Sequence, residues 1–269
     1  MKIGVFSNPY KDPDNAVRDA VFAAARACGI EAEAYEKGVT YNFIASVGGD
    51  GTILRIAKDC ALSEIPILGV NRGTVGFLTE IEPKELNSAM ERLIKRDYVL
   101  ERRALIDAEH NGEHFYALND VVVRSKTGRM ISVEVSIDGE RIDKFACDGF
   151  IACTPTGSTA YSLSAGGAVV APNTPVIELT PINPHILRTR PIIVGSFEKI
   201  SLKNCGNHGA DLFVDGETAV DINSGDSVSV TGWDRSVLFV RFDKKSFYDK
   251  KSFYSRLLSK LNPAPIAED

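Results

Sequence analysis

The spacing of apolar residues divides the chain into a first part of alternating strands and helices and a second part dominated by strands. In the first part, short apolar runs predict strands at 2–7, 30–35, 42–47 and 66–70. Apolar residues spaced as on one helix face predict helices from Asp12-Pro13 to Gly29, at 52–60 and at 83–96. This alternation is typical of a mainly parallel sheet with helices on both faces.

The pattern of apolar and polar residues changes near Tyr98, where short alternating segments rich in Val, Ile and Phe begin. The pairs Asn111-Gly112 and Asp138-Gly139 lie between strand-like runs and predict tight hairpins. A short helix is expected after Gly157. Further strands are predicted at 149–153, 176–180, 191–194, 198–203, 211–215, 226–231 and 236–242. We therefore expect a second domain that is mostly β.

The last residues regain helical spacing, with an apolar stripe that needs a surface to cover. We expect this tail to pack back on the N-terminal domain or on a neighbouring subunit. The predicted fold class is an α/β domain with a mainly parallel sheet, followed by a β-rich domain and a helical tail. The predicted boundaries are 1–97, 98–243 and 244–269.

Composition and charge narrow the setting in which the chain works. The net charge of −5 over 269 residues disfavours a nucleic-acid-binding surface, which is normally basic. Five cysteines with no C-x-x-C pair favour reduced thiols over disulfides or a zinc site. No apolar run approaches the roughly 20 residues of a membrane span. We predict a soluble cytoplasmic protein without a nucleic-acid or membrane partner.

The turn Gly48-Gly49-Asp50-Gly51-Thr52 follows a predicted strand and opens a predicted helix. Glycines leave backbone N–H groups unobstructed, and the positive end of the helix favours an anion, most commonly phosphate. The turn is neither a Walker A motif nor G-x-G-x-x-G. Asp50 adds a like charge, which makes sense if it takes a proton from an attacking hydroxyl or helps to hold Mg²⁺. The alternative is that Asp50 merely caps the helix.

Two more glycine-rich segments follow predicted strands. Asn71-Arg72-Gly73-Thr74-Val75-Gly76-Phe77 ends a strand at the sheet edge where ligands gather in α/β folds, although a plain connection would explain it as well. The segment from Asp148 to Gly167 contains Thr154-Pro155-Thr156-Gly157-Ser158-Thr159-Ala160-Tyr161-Ser162-Leu163-Ser164. Its hydroxyls suit a ribose or a diphosphate, and Tyr161 suits a ring. A hydroxyl-rich turn before a short helix is the alternative.

Weaker signals lie elsewhere in the second part. Asn119-Asp120 ends a strand-like run and could bind ribose hydroxyls or a purine edge, although a turn explains the dipeptide better. Ser158 lacks the G-x-S-x-G elbow of a serine hydrolase. His110 and His114 span a predicted hairpin and do not form a helical metal pair. Nucleophilic catalysis is therefore disfavoured.

Taken together, these segments resemble the NAD kinase family, the ATP-dependent enzymes that convert NAD to NADP. The matching blocks are Gly48 to Thr52, Asn71 to Phe77, Leu118 to Asp120 and Asp148 to Gly167, with looser matches at Pro181 to Arg190 and Asp215-Gly216-Glu217. They follow the family's order and span most of the chain. The glycine turn alone is shared with diacylglycerol and sphingosine kinases, whereas the 154–164 block is far more specific.

The resemblance implies an N-terminal α/β domain, a C-terminal β-rich domain and NAD in the cleft between them. By matching position, Asp50 is the general base that deprotonates the 2′-hydroxyl of the adenosine ribose, which attacks the γ-phosphate of Mg·ATP. The implied NAD contacts are Asp50, Gly51, Phe77, Asn119, Asp120, Arg129, Asp148, Ser158, Thr159, Ala160, Tyr161, Ser162, Leu163, Ser164, Asn183 and Glu217. The implied ATP or phosphate contacts are Gly48, Gly49, Gly51, Thr52, Arg55, Asn71 and Gly73. Metal ligands are not assigned, and a homodimer or homotetramer is implied.

Two departures from the family pattern leave details of the site open, and two other functions remain as alternatives. Asn183 and Ile186 differ from the residues expected in the motif around Pro181, which leaves the floor of the pocket open. Residues 144–147 lack an arginine found in some NAD-preferring members, which leaves the choice between NAD and NADH open. A lipid kinase of the same superfamily is disfavoured by the acidic composition and the 154–164 block. A non-catalytic dinucleotide sensor is disfavoured by the presence of Asp50.

Overall fold

The computed structural model describes residues 1–73, 76–186, 189–242, 253–254 and 256–258. The chain forms two compact units. The first contains Met1–Arg102 together with the C-terminal stretch from Leu238, and the second contains Arg103–Val237.

The first unit is built on a parallel sheet with helices around it. Its strands are β1 (Lys2–Ser7), β2 (Glu31–Ala34), β3 (Phe43–Gly48) and β4 (Ile67–Asn71), and its helices are α1 (Ala16–Ala27), α2 (Asp50–Ser63) and α3 (Leu86–Ile94). The strand order is β2-β1-β3-β4, with every pair parallel. Every residue of β3 and β4 is buried, as expected for central strands covered on both faces. Because the strands are parallel, the segments that follow β1, β3 and β4 leave the sheet at the same edge.

The first helix begins later than its sequence predicts. The predicted start was Asp12-Pro13, whereas α1 begins at Ala16 after Asn15, which has a left-handed backbone. The Asp12 carboxylate still accepts hydrogen bonds from the backbone N–H groups of Val17 and Arg18 at 3.2 and 2.9 Å. The aspartate therefore satisfies the open donors of the helix from a preceding turn rather than from the capping position.

The second unit consists almost entirely of strands. They are β5 (Val99–His110), β6 (Glu113–Ala117), β7 (Asp120–Ser125), β8 (Ile131–Ile137), β9 (Glu140–Cys147), β10 (Gly149–Cys153), β11 (Val176–Ile182), β12 (Ile192–Gly195), β13 (Ile200–Asn204), β14 (Ala210–Val214), β15 (Glu217–Ile222) and β16 (Ser227–Arg241), of which β5 begins and β16 ends in the first unit. One sheet has the antiparallel order β12-β11-β10-β7-β14-β15. The other contains β16-β13-β8-β9, with β5 beside β16 and β6 beside β5. Apolar residues of both sheets form one buried cluster, in which Phe150 and Leu202 are fully enclosed.

The predicted fold class is confirmed: an α/β unit with a parallel sheet is accompanied by an antiparallel β-rich unit. The hairpins predicted at Asn111-Gly112 and Asp138-Gly139 are present. The segments predicted as separate strands at 226–231 and 236–242 form the single long strand β16. Strand β15 was missed because most of its residues are exposed and it lacks an apolar alternation. It forms a hairpin with β14 around the turn Asp215-Gly216.

Only a few residues of the C-terminal tail can be described. The ring centroid of Phe253 lies 5.8 Å from that of Phe77, and Leu257 is buried. The rest of the helical tail predicted at 244–269 lies outside the described residues, apart from 254, 256 and 258. Among the helices that the structure does describe, none has the length and apolar character that a membrane crossing requires.

Candidate active site

The glycine turn lies where β3 ends and α2 begins. Gly48 is the last residue of β3, Gly49 occupies the capping position without a side-chain bond, and Asp50 is the first residue of α2. The first N–H groups of an α-helix have no partner within the helix, and they carry the positive end of its dipole. The turn therefore offers an anion both free donors and a favourable field.

The carboxylate of Asp50 is held by the segment that follows β4. Its Oδ2 accepts a hydrogen bond from the backbone N–H of Phe77 at 2.8 Å, and its Oδ1 accepts one from Leu78 at 3.0 Å. Since Gly49 occupies the capping position, helix capping does not account for this carboxylate. Asp50 is instead fixed in orientation by two donors from another segment. Each oxygen still has acceptor capacity for a further partner.

Gly76 makes this arrangement sterically possible. A Cβ atom built on Gly76 would lie 2.0 Å from Asp50 Oδ1 and 2.6 Å from its carboxyl carbon, far inside van der Waals contact. The Asp50 carboxylate thus occupies the space that a side chain at position 76 would need.

Gly76→Ala is therefore expected to displace the Asp50 carboxylate and to lower turnover by about tenfold or more, because a misplacement of about 1 Å at a reacting group is costly. The measurement is kcat for the phosphoryl-transfer reaction proposed below. Gly209→Ala is the control, since its Cβ would meet nothing closer than 3.7 Å. Unchanged kcat in Gly76→Ala would show that this contact does not fix Asp50.

Other residues predicted to bind phosphate share this edge of the sheet. Gly48 O accepts a hydrogen bond from the backbone N–H of Arg72 at 2.9 Å, which joins the two glycine turns. Thr52 is buried, and the Asn8 amide donates to its hydroxyl at 3.4 Å. The Asn71 amide donates to Gly73 O at 3.1 Å. Within the part of the chain that the structure describes, Asn71 Oδ1 is a buried acceptor without a partner.

The side chain of Arg72 was not singled out from the sequence. It pairs with the fully buried Asp12 and, at 2.9 Å, with Asp14, and so ties the turn after β1 to the turn after β4. In the sequence, the position of Arg72 inside a glycine-rich segment could have indicated this role. Arg55, which was predicted to contact phosphate, is exposed on α2 one turn beyond Asp50.

In the second unit, Asp215 organises the Asn119-Asp120 segment. Its carboxylate accepts hydrogen bonds from the backbone N–H groups of Leu118, Asn119 and Asp120 at 2.9, 2.7 and 3.2 Å. Desolvation by burial raises the pKa of Asp215, and these three backbone donors lower it by less. The dipeptide is therefore a fixed structure rather than a loose turn.

The same dipeptide is also joined to the hydroxyl-rich segment. Thr154 Oγ1 donates to Leu118 O at 2.5 Å, and the Thr154 N–H donates to Asn119 O at 2.8 Å. A Cβ at Gly157 would lie 2.0 Å from Asn119 O, so glycine is required for this close approach. The structure thus brings together two segments that the sequence analysis selected separately.

The carboxyl group of Asp120 has a strongly raised pKa. Its side chain is buried, and burial together with the negative charge of Asp215 raises its pKa to about 7. A carboxyl group with such a pKa is partly protonated near neutrality and can donate a hydrogen bond as well as accept one.

The hydroxyl-rich segment forms a short 3-10 turn at Gly157–Thr159 and the one-turn helix α4 (Tyr161–Ser164). Ser158 Oγ donates to Pro155 O at 2.7 Å and accepts from the Val170 N–H at 3.0 Å. Ser162 Oγ donates to the buried Glu178 carboxylate at 3.0 Å. Both serines are fully buried, so their hydroxyls hold the segment from inside. Thr159, Ala160, Tyr161, Leu163 and Ser164 reach the surface.

Glu178 was not anticipated from the sequence. Besides Ser162, its carboxylate accepts a hydrogen bond from the Ala168 N–H at 2.5 Å and one from the Cys153 thiol at 3.5 Å. It is the one acidic residue of the mostly apolar strand β11, and this position could have indicated its role. Its bonds close the loop between α4 and β11.

The remaining predicted contacts fall into two groups. Asp148 and Asn183 lie together, because the Asn183 amide donates to Asp148 Oδ2 at 3.0 Å. Arg129 is exposed in the connection between β7 and β8, and Glu217 is exposed at the start of β15. The negative charge of Glu217 acts on Asp215 and so lies near the 118–120 segment, and it helps to raise the pKa of Asp215.

An α/β unit whose glycine turn presents a helix N-terminus and a fixed carboxylate has the features of a nucleotide-dependent phosphotransferase. Comparison with known proteins identifies which one. Residues 31–98 match the family model of the ATP-NAD kinase N-terminal domain, and residues 118–242 match that of the ATP-NAD kinase C-terminal domain. The chain belongs to the NAD kinase family, and the resemblance found in the motifs is confirmed.

Individual relatives agree with the family models. The chain is 34% identical to the NAD kinase of Caldicellulosiruptor saccharolyticus over 252 residues, which cover 92% of this chain and 96% of that protein. It is 41% identical to the NAD kinase of Methanothermobacter thermautotrophicus over 210 residues, covering 77% and 74%.

Solved structures show the same fold. An NAD kinase from Archaeoglobus fulgidus, solved in complex with ATP, matches with a TM-score of 0.77 and 28% identity over 95% of this chain and 99% of that one. A yeast NADH kinase, solved with NADH, matches with a TM-score of 0.83 over 100% and 89% of the two chains. At 22% identity, the yeast enzyme supports the fold alone.

Proposed function

We propose that this chain transfers the γ-phosphate of ATP to the 2′-hydroxyl of the adenosine ribose of NAD, giving NADP. The observation that carries the proposal is the Asp50 carboxylate. It lies at the start of α2, and the N–H groups of Phe77 and Leu78 hold it in one orientation. NAD kinases from two other organisms align with most of this chain, which favours NAD over a lipid as the acceptor.

In the proposed mechanism, the first unit supplies the base and binds phosphate. The N-terminal N–H groups of α2 and the turn from Gly48 to Thr52 bind phosphate oxygens and balance their charge. Asp50 orients the attacking hydroxyl and accepts its proton as the bond to phosphorus forms. Phosphoryl transfer depends mainly on alignment and charge stabilisation, so the fixed orientation of Asp50 is its principal asset.

The second unit is proposed to bind the dinucleotide. Asn119 and Asp120 offer an amide and a carboxyl group to the adenosine portion, and their backbone is held by Asp215. Tyr161 is half-buried and can lie against a ring. Asp148, paired with Asn183, is assigned to the nicotinamide end.

Mg²⁺ is proposed to arrive as part of the substrate Mg·ATP. In kinase sites this ion keeps several waters and is bound through substrate phosphates and one or two carboxylates. Among the residues that the structure describes, no group of three His, Cys, Asp or Glu side chains is placed to hold a metal ion. Asp50 is the carboxylate next to the proposed phosphate site.

The cellular setting is proposed from the sequence and the thiols. All five cysteines are free, and burial raises the pKa of the Cys60 and Cys147 thiols to about 12, which makes them unreactive. Free thiols suit the reducing cytoplasm. We further propose a homodimer or homotetramer that has no nucleic-acid or membrane partner.

The test is to incubate the purified protein with Mg·ATP and NAD and to measure NADP with an NADP-specific dehydrogenase. We expect NADP to accumulate with time and with enzyme concentration, and not when ATP is omitted. Parallel reactions contain diacylglycerol or sphingosine in place of NAD. Phosphorylated lipid without NADP would establish a lipid kinase, and tight NAD binding without NADP would establish a sensor.

A further inference from the structure

Two arginines contact the segment that holds Asp50 from its opposite side. Arg256 Nη1 donates to Phe77 O at 3.4 Å and to Thr79 O at 3.1 Å. Arg241 Nη1 donates to Leu78 O at 3.1 Å. Three consecutive carbonyls are therefore bound by guanidinium groups from the C-terminal part of the first unit.

One of these carbonyls belongs to a peptide group that also binds Asp50. Phe77 C=O and Leu78 N–H are parts of a single planar peptide group. Arg256 binds its oxygen, and Asp50 Oδ1 accepts a hydrogen bond from its N–H at 3.0 Å. A cation on the carbonyl oxygen polarises the group and makes its N–H a stronger donor, and it also fixes the plane of the peptide. Arg256 is thus linked to the carboxylate through one rigid unit.

Arg241 anchors this segment and is itself held firmly in place. It is the last residue of β16 and is almost fully buried. Its guanidinium pairs with Glu101 at 2.6 Å and with Glu80 at 3.1 Å. Glu80 also accepts a hydrogen bond from the Phe242 N–H at 2.8 Å. Because removing one partner of a buried ion pair is strongly destabilising, Arg241 is not a clean site for mutation.

Arg256 is less enclosed and lies within the field of the same charges. Burial lowers its pKa, and the positive charge of Arg241 acts in the same direction, whereas Glu80, Glu101 and Asp50 oppose both effects. The charge of Asp50 therefore acts on Arg256 across the intervening peptide. The neighbouring Leu257 is buried, and the Phe253 ring lies against Phe77, so the arginine comes from a segment that packs on this site.

We propose that Arg256 is a positioning residue for phosphoryl transfer, which orients the Phe77–Leu78 peptide so that Asp50 is held ready to accept the proton. This inference rests on the proposed function and extends it. The orientation of the base then depends on a residue 206 positions further along the chain.

The first test compares kcat and KM of the wild type and Arg256→Met in the NADP-forming reaction. We expect kcat to fall about tenfold, with KM for NAD and ATP within about twofold, because the base is misoriented while the binding groups are intact. Arg256→Lys should restore part of kcat, since an ammonium can bind one of the two carbonyls. A loss confined to KM, or kcat equal to that of the wild type, would overturn the proposal.

Arg92→Met is the matched control. Arg92 also binds a backbone carbonyl of the first unit, that of Phe242, and pairs with Asp97 at 2.8 Å. Among the described residues, its hydrogen bonds and ion pairs do not include the 76–79 segment. We expect kcat of this variant to stay within twofold of the wild type. Melting temperatures of both methionine variants are measured, so that a general loss of folding is recognised. If both methionine variants lose kcat equally, Arg256 has only a structural role.

A double-mutant cycle with Asp50→Asn separates positioning from folding. If Arg256 acts through Asp50, Arg256→Met should lower turnover tenfold in the wild type and less than twofold in the Asp50→Asn background. Equal losses in both backgrounds would overturn the proposal. An inactive wild type would instead disprove the proposed function, so the two failures are distinguishable.

Discussion

Replacing Asp50 with asparagine is expected to lower turnover of NAD to NADP by at least about 10²-fold, the lower end of typical acid–base contributions. An amide is nearly isosteric with a carboxylate, so the packing against Gly76 is retained, and its oxygen can still accept one of the two N–H bonds. The amide cannot accept the ribose proton. We expect NAD affinity, measured by calorimetry, to stay within about twofold of the wild-type value.

Asp59→Asn is the matched control, because Asp59 lies on the same helix and makes a surface pair with Lys37 at 2.7 Å. This variant should turn over at the wild-type rate. Near-normal turnover by Asp50→Asn would remove the general-base role, whatever the control shows. A large loss of NAD affinity with normal kcat would make Asp50 a binding residue instead.

The second large effect is a pH dependence of stability that Asp120 creates. Its pKa is raised from 3.8 to about 7, so the native protein keeps this proton up to neutrality while the unfolded chain loses it near pH 4. The stabilisation is therefore complete below about pH 4, decreases as the pH rises, and is lost above about pH 7. The difference between the two pKa values corresponds to roughly 4 kcal/mol at most.

Asp120→Asn should abolish this dependence, because the amide does not titrate. The measurement is the free energy of unfolding in urea at several pH values from 4.5 to 8. Relative to the wild type, Asp120→Asn is expected to gain stability progressively, by on the order of 2–4 kcal/mol across that range. Asp143→Asn, on the exposed edge strand β9, should show no such trend. A constant difference between the wild type and Asp120→Asn would mean that Asp120 does not keep its proton in the native state.

Local features of the first unit could be predicted because adjacent residues determine them. The continuous apolar run of β3 predicted a central strand, and the glycines after it predicted the turn that begins α2. The sequence also selected Asp50, since an acid is out of place in a turn that binds phosphate. Its hydrogen bonds to Phe77 and Leu78 were not predictable, because they join segments 27 and 28 residues apart.

The positioning residues that were not predicted make their contacts with residues far away in the sequence. Asp215 binds the backbone of Asn119 across 96 residues, and its match to the family pattern did not indicate that contact. Glu178 accepts hydrogen bonds from residues 10 to 25 positions away, and Arg256 donates one to Phe77 across 179 residues. Such residues lie outside the glycine and hydroxyl motifs but fix the motif backbones in place. A motif can identify which residues meet the substrate, whereas the residues that position them follow from the fold.

The most direct test of the central claim compares phosphate transfer to NAD with transfer to an analogue that has hydrogen in place of the adenosine 2′-hydroxyl. Both are incubated with the wild-type protein and γ-labelled Mg·ATP, and label in the dinucleotide is quantified after separation. The proposed function predicts that NAD is labelled, whereas the analogue stays unlabelled even though it binds. Equal labelling of the two compounds, or none in NAD, would contradict the proposed transfer to the 2′-hydroxyl.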